Sequence, residues 1–520
     1  MNFNKNNKVL IAIPAIIMFF IALIPTLKYQ WPLSWDIIYH IGFAKIYSQY
    51  GLIDPLFTHI HHKITYPPLF HLLIAALGNT LHVDYFQIAR CLQPIFAMLI
   101  VLSVSYIAKK LYGNLIGISA GFLIISSYIA FRIMLPLPEN LALLFFIFSV
   151  YFFYISISKK ILKYALISGI LLLLTLATHQ VSPLILISVA SSFTVLELIV
   201  YKNKFILMNY GAFLLPIILL IICGISALLL LKPGLLNNIL QQGISTYIGH
   251  ITAYSSTQSL SILKYLRFLG VFVSIFSFIG AIVALKTRDK KGIFILTWAI
   301  VIFLLSNAYL VGINVESSRF LIYMLVPLSI LGGYGLNYVY YKFKEYKYLS
   351  SPKFRSGFLM SIFALSVILG LLTVAGNPFT FYAETPLGTV QIAPLSPSEI
   401  DLANWFKMNG DKNESILISN PYSGYFVSDE SGMSINEKFK FFNKSTSQSD
   451  FKKNKIGYIV YDKRLTFQSK NGTLYMQEAN SELYPLLYFS KDIHANINEI
   501  IPSFAKVVYE NNDFIVCKIE

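Results

Sequence analysis

The sequence predicts a polytopic all-α membrane bundle of about 11 transmembrane helices, followed by a C-terminal soluble α/β domain. Three observations predict it. Of 520 residues, 56% are hydrophobic and only 13% charged, whereas a soluble domain carries roughly 25% charged residues. Apolar runs of about 20 residues, the length that crosses a bilayer as helix, recur along residues 1–375. The charge divides at the same point: residues 1–375 carry 27 Lys+Arg and 8 Asp+Glu, net +19, and residues 376–520 carry 14 and 17, net −3. An aromatic content of 15% excludes disorder. Nucleic-acid binding would need a basic soluble domain, and this one is slightly acidic.

In order, the spans read as 9–27, 88–108, 115–131, 140–158, 162–178, 182–200, 206–231, 265–285, 292–310, 320–341 and 357–375. The first follows MNFNKNNK and precedes no small-residue cleavage site, so it is read as an uncleaved span. With the N-terminus in the cytoplasm, the inner segments 1–8, 109–114, 158–163, 201–204, 286–291 and 341–355 hold 18 of the 27 basic residues. That is the positive-inside bias. The loop 28–87 then lies outside and is semi-apolar, which predicts short helices along the interface. A second outer loop covers 232–264, and the tail 376–520 is extracytoplasmic.

Within the tail, Ser396-Pro397-Ser398-Glu399 spells a capping box with proline at the first helical position, opening a helix that runs to Gly410. Residues 415–419 and 456–461 read as strands, and 504–510 with 514–519 as a closing hairpin around Asn511-Asn512-Asp513. The N-x-S/T sequons at Asn413, Asn443 and Asn471 all fall here, in agreement with an outer location. Cys91 and Cys223 lie in apolar spans and Cys517 stands alone in the tail, so no disulfide or zinc framework is predicted there.

Acidic residues are scarce in the membrane part, which makes each one informative. Asp289 and Glu345 sit among inner basic residues, where salt pairing accounts for them, and Glu197 lies near an inner span end. Asp36, Asp54, Asp84, Glu139 and Glu316 are on the outer side or at its edge. Asp36 opens a predicted helix on which Tyr39, His40, Phe43 and Tyr47 share its face. A carboxylate with an imidazole one turn away can act as a hydrogen-bonded base; alternatively, Asp36 simply caps the helix.

Other polar residues gather at the same face. They are Arg132 and Glu139 in the turn between the third and fourth spans, His179 between the fifth and sixth, and Glu316 and Arg319 before the tenth. With Lys63 and His40 they form a polar rim above an apolar bundle, suited to a lipid phosphate neutralised by Arg and Lys. Six of the nine histidines also lie in the first outer loop: His40, His59, His61, His62, His71 and His82. A metal site there is one reading. H-x-H-H has no regular ligand spacing, however, and contact with headgroups or phosphate is the stronger expectation.

One stretch has a familiar pattern. Trp35-Asp36-x3-His40 leads to Ala44-Lys45, then Gly51, then Tyr66-Pro67-Pro68-Leu69-Phe70-His71, then a span that opens at Arg90 and ends KKLYG. This resembles the first luminal loop of the GT-C superfamily of integral-membrane glycosyltransferases, which includes protein O-mannosyltransferases, aminoarabinose transferases of lipid A and oligosaccharyltransferases. Pro138-Glu139-Asn140 and Ser318-Arg319-Phe320 followed by Pro327 are similar to such proteins as well.

The resemblance implies a polyprenyl-phosphate-linked sugar as donor, a glycan, lipid or protein acceptor, and Asp36 as base on that acceptor. It implies basic residues on the departing phosphate and inversion at the anomeric carbon. The sequence departs from the superfamily in three ways. No D-x-D stands near Asp36, so no cofactor is expected and a divalent cation has no motif to support it. The tail holds nothing like WWDYG, and the first loop has a single Asp where lipid A transferases sometimes have an acid pair. The competing readings are a flippase of lipid-linked saccharides, which would need ionisable groups at mid-span depth, and a non-catalytic receptor or scaffold.

Overall fold

A computed structural model describes residues 9–34, 36–52, 66–231, 259–313, 315–375, 383–385, 388–390, 394–418, 421–436, 447–463, 468–470, 473–475 and 501–520. Lys63, Asp54, His59, His61, His62, Asn443 and Asn471 lie outside these residues, as does most of the loop 232–264.

All eleven apolar segments are helical. The helices are α1 (Ile13–Lys28), α4 (Tyr85–Tyr112), α5 (Asn114–Ile125), α6 (Pro138–Lys159), α7 (Leu162–Thr178), α8 (Ser182–Ile199), α9 (Ile206–Leu231), α11 (Val271–Thr287), α12 (Lys290–Ser306), α13 (Leu321–Lys342) and α14 (Pro352–Gly370). Between α1 and α4 the first loop forms α2 (Asp36–Tyr50) and α3 (Leu69–Leu81). Among the described residues, 7 helices are long and apolar enough to cross a membrane, or 9 if each of two bent pairs is one span. The two other segments, α7 and α12, have 17 residues each, about 25 Å of helix at 1.5 Å per residue.

The bent pairs correct the expectation of straight spans at 115–131 and 265–285. After α5 the chain turns by 93° into the 3₁₀ segment Tyr128–Met134. Ser126 Oγ donates back to the Leu123 carbonyl at 2.7 Å, a local bond that competes with helix continuation. Before α11, the short helix α10 (Ile262–Leu269) meets it at 105°. The hinge is Gly270 at φ +87°, and a Cβ there would stand 3.0 Å from the Ser126 carbonyl. The two breaks therefore pack against each other, and Ser127 Oγ donates to the Phe268 carbonyl at 3.1 Å.

The tail is α/β, as its sequence predicts. Helix α15 (Pro397–Asn409) opens on the capping box, with Ser396 Oγ accepting from the Glu399 amide and Glu399 Oε2 accepting from the Ser396 amide. Five strands form one sheet: β3 (Ser415–Ile418), β4 (Ser434–Ile435), β5 (Ile456–Asp462), β8 (Ala505–Glu510) and β9 (Phe514–Ile519), in the order β4-β3-β5-β9-β8. The short hairpins β1 (Ala383–Thr385) with β2 (Gly388–Val390), and β6 (Gln468–Lys470) with β7 (Thr473–Tyr475), stand apart from it. Strand β5 is buried along its whole length, as a central strand covered on both faces should be. One face (Leu417, Ile459, Tyr461, Ile515, Cys517) packs on Phe451 of the helix α17 (Gln448–Lys453). The other (Ile416, Ile418, Tyr458, Val460, Val516) belongs to an apolar cluster continuous with that of the bundle.

The link runs through α16 (Pro421–Ser431), which lies against α2. Phe426 meets Trp31 and Phe86 edge-on with ring centroids 6.0 and 5.9 Å apart. Lys45 of α2 pairs with Asp429 and Glu430 of α16.

Candidate active site

The end of the bundle beneath α2 and α3 collects most of the predicted polar residues. Asp36 is the first residue of α2 and is exposed. Arg132, on the 3₁₀ segment after α5, reaches Glu139 in the first turn of α6, Nη2 to Oε2, at 2.9 Å. Asn140 fixes that turn by donating to the carbonyls of Arg132 and Leu135, each at 2.7 Å. Across the rim, Arg319 Nε donates to Glu316 Oε2 at 2.7 Å and Ser318 Oγ to Glu316 Oε1 at 2.9 Å.

Tyr66 lies near these pairs, its ring centroid 6.2 Å from that of His179. Burial pushes the Tyr66 phenol well above the usual tyrosine range; the Arg319 guanidinium opposes this, while the Glu139 and Asp36 carboxylates add to it. His179, between α7 and α8, is held down to about 3 by burial and by the guanidinium charges of Arg319 and Arg132. Burial would raise Glu316, but Arg319, with Arg132 and Ser318, outweighs it and holds the carboxyl below its usual value. Asp36, Glu139 and Arg319 thus act on Tyr66, and Arg132 and Arg319 both act on His179 and on Glu316.

His179 has a defined tautomer. Its Nδ1 accepts from the Ser182 amide at 3.3 Å and lies 2.7 Å from Ser182 Oγ, which stands 2.5 Å from Tyr323 Oη. An Nδ1 that accepts from an amide carries no proton, so the neutral ring holds its proton on Nε2.

His40 points away from the rim. It is buried, and its Nδ1 lies 3.0 Å from Nε2 of His71 on α3. Burial, with the charge of His179, lowers it to about 3, and burial lowers His71 as well. The pair packs among Phe43, Tyr66 and Phe70. The reason is helical geometry: α2 is buried on two sides, Ile37, Ile41 and Ala44 toward the bundle and Phe43 and Tyr47 in a second apolar cluster, so a residue one turn from Asp36 enters the interior. Asp84, another acid of this face, caps α4 by accepting from the amides of Phe86 and Gln87.

Sequence reasoning missed Tyr66, Ser182 and Tyr323 as site members. Tyr66 stood in a quoted motif, whereas Ser182 and Tyr323 look like ordinary helix residues. Among the described residues no group of three or more His, Cys, Asp or Glu is placed to hold a metal ion.

No family model matches the sequence, and no curated protein does. The fold has clear counterparts among solved structures. The apo oligosaccharyltransferase of Archaeoglobus fulgidus superposes with a TM-score of 0.61 at 13% identity, over 88% of this chain and 70% of that one. The archaeal oligosaccharyltransferase AglB from Archaeoglobus fulgidus, in complex with an inhibitory peptide and a dolichol-phosphate, gives 0.59 at 13% identity over 87% and 69%. ArnT from Cupriavidus metallidurans bound to undecaprenyl phosphate gives 0.57 at 10% identity over 98% and 97%. The fold of this chain is therefore that of these oligosaccharyltransferase and ArnT structures.

Proposed function

We propose that this GT-C-fold protein is a multi-pass membrane glycosyltransferase. It moves a sugar from a polyprenyl-phosphate donor to an acceptor at the extracytoplasmic face. The observation that carries the reading is the convergence of Asp36, Glu139 and Arg319 on Tyr66, with Arg132 acting on the same His179 and Glu316 as Arg319. Support for the donor class comes from the two neighbours solved with dolichol-phosphate and undecaprenyl phosphate.

The chemistry assigns a part to each residue. The Asp36 carboxylate takes the proton of the acceptor nucleophile. The nucleophile attacks the anomeric carbon from the face opposite the phosphate and forms the new glycosidic bond. The old C–O bond breaks, its electron pair leaves on the lipid phosphate, and configuration inverts. Arg132 and Arg319 stabilise the developing phosphate charge. A guanidinium carries five N–H groups, so each can hold its carboxylate and meet phosphate oxygens too. Glu139 and Glu316 orient the two guanidinium forks. The His179 Nε2–H donates to a phosphate oxygen, and Lys63 supplies a further positive charge for that phosphate. The tail, as an extracytoplasmic domain, covers α2 from outside.

The test is an in vitro transfer assay with purified protein and a panel of polyprenyl-phosphate sugars. Transfer from at least one donor, lost on removal of the lipid phosphate, is expected. No transfer from any donor by protein that binds polyprenyl phosphate would favour a carrier instead.

A further inference from the structure

A polar ladder on the membrane span α4 holds the described residues between α1 and α2, 29–34, just ahead of Asp36. Gln87, Arg90 and Gln93 stand at i, i+3 and i+6 and so share one face of that helix. Gln87 Nε2 donates to the Gln30 carbonyl at 3.2 Å, and Arg90 Nε to the Thr26 carbonyl at 2.8 Å. Arg90 also donates through Nη1 to Gln87 Oε1 at 3.0 Å, joining the rungs.

Gln93 is fully buried and has both ends of its amide engaged. Its Nε2 donates to Thr26 Oγ1 at 2.8 Å, and its Oε1 accepts from the Leu33 amide at 2.6 Å. Leu33 is fully buried too, and Ser34 follows at φ +81°. That is left-handed backbone, which a non-glycine residue keeps only where its surroundings over-determine it. The Ser34 carbonyl then accepts from the Ile37 amide at 3.4 Å in the first turn of α2. The chain of constraint runs from Gln93 to Leu33, through the strained Ser34, to the helix start that carries Asp36.

We infer that Gln93 is a positioning residue for Asp36. It acts at a distance, through the Leu33 amide, and touches no substrate. This rests on the reading of Asp36 as the base. A buried amide in a membrane span is costly unless both of its ends are satisfied. Here it satisfies a backbone N–H that would otherwise be left without a partner in the bundle interior, three residues before Asp36.

The experiment uses the full-length protein with Gln93→Leu, Gln93→Glu and Thr26→Val, and reads both kinetics and hydrogen exchange. Gln93→Leu should lower kcat by about 10–100-fold, the scale of a misplaced catalytic group, with the donor KM within about twofold, because the phosphate-binding arginines lie elsewhere. Exchange in residues 30–36 should quicken at least about tenfold, as the Leu33 amide loses its acceptor, while the spans stay protected. Gln93→Glu should restore kcat as pH falls, because a buried glutamic acid in its neutral form offers the same acceptor and donor as glutamine. Thr26→Val, which removes only the anchor for Nε2, should give the same split about 2–5-fold deep and covers the case in which Gln93→Leu does not fold. Folded Gln93→Leu with wild-type kcat and wild-type exchange at 30–36 would overturn the inference. So would a loss in KM alone. If the wild-type protein transfers no sugar at all, the reading of Asp36 fails, and exchange still decides whether Gln93 holds the connector.

Discussion

The two ends of the helical bundle carry similar residues and use them differently. At the end opposite α2, Asp289 caps α12 by accepting from the amides of Lys291 and Gly292 and receives the Tyr112 hydroxyl at 2.9 Å. Glu197 pairs with Lys290 at 2.6 Å and accepts from Asn203 at 3.0 Å, and Glu345 pairs with Lys342. A crevice there is lined by Tyr154, Phe193, Tyr201 and Phe294, with the Glu197–Lys290 pair as its charges. Each acid is accounted for by a cap or a local pair. At the α2 end, Arg132 and Arg319 sit in separate ion pairs, yet both act on His179 and on Glu316. The contrast teaches that the number of charges does not mark a site. Convergence of charges from distant elements does.

The largest effect should come from breaking the more buried pair of the α2 end. Arg132→Ala strands Glu139, which is only 9% exposed, and breaking such a pair costs about 3–5 kcal/mol. Thermal unfolding in detergent should show that loss. The double change Arg132→Met with Glu139→Leu should recover most of the stability but no transfer. If it recovered transfer as well, the pair would be structural, like those at the opposite end.

Acid should come next. His40 and His179 are held down to about 3 in the folded protein, against about 6.5 in an unfolded chain. Between those values the unfolded state binds the extra protons. Stability should therefore be flat above pH 7 and fall as pH drops below 6.5, by about 1.4 kcal/mol per pH unit for each histidine. His40→Phe should flatten the slope of Tm against pH between 5 and 6.5, and an unchanged slope would remove His40 from that account.

The contact between α2 and α16 should matter less. Lys45 and Asp429 are about a quarter exposed, so Lys45→Ala should cost about 0.5–1 kcal/mol and speed proteolytic nicking of the tail. Lys45→Glu with Asp429→Lys should slow it again. Smallest of all, Glu345→Gln at the opposite end should leave both unfolding and transfer unchanged, since its carboxylate and Lys342 are well exposed.

Much of this was legible in the sequence, for identifiable reasons. Bilayer crossing needs long apolar runs, and nine of the eleven runs are single helices, the other two being bent pairs. The Ser396–Glu399 box, the strands at 415–418 and 456–462 and the closing hairpin follow from local chemistry and are present. The bends at Ser126 and Gly270 were hidden, because both lie inside apolar runs and arise only where two helices meet. The rim residues stand out as candidates because polar groups at span ends are rare. The inward turn of His40 toward His71 could not, since it depends on where α3 packs. The Gln93 ladder was invisible for the same reason: its partners are backbone groups about 60 residues away.

The most direct test of the central claim pairs one substitution at each end. Asparagine caps helices about as well as aspartate, so Asp36→Asn and Asp289→Asn should both fold and insert. Sugar transfer from polyprenyl phosphate is then measured for each beside the wild-type protein. Transfer should fall by about 10²–10⁴ for Asp36→Asn and stay at the wild-type rate for Asp289→Asn. Wild-type transfer by folded Asp36→Asn would contradict the claim.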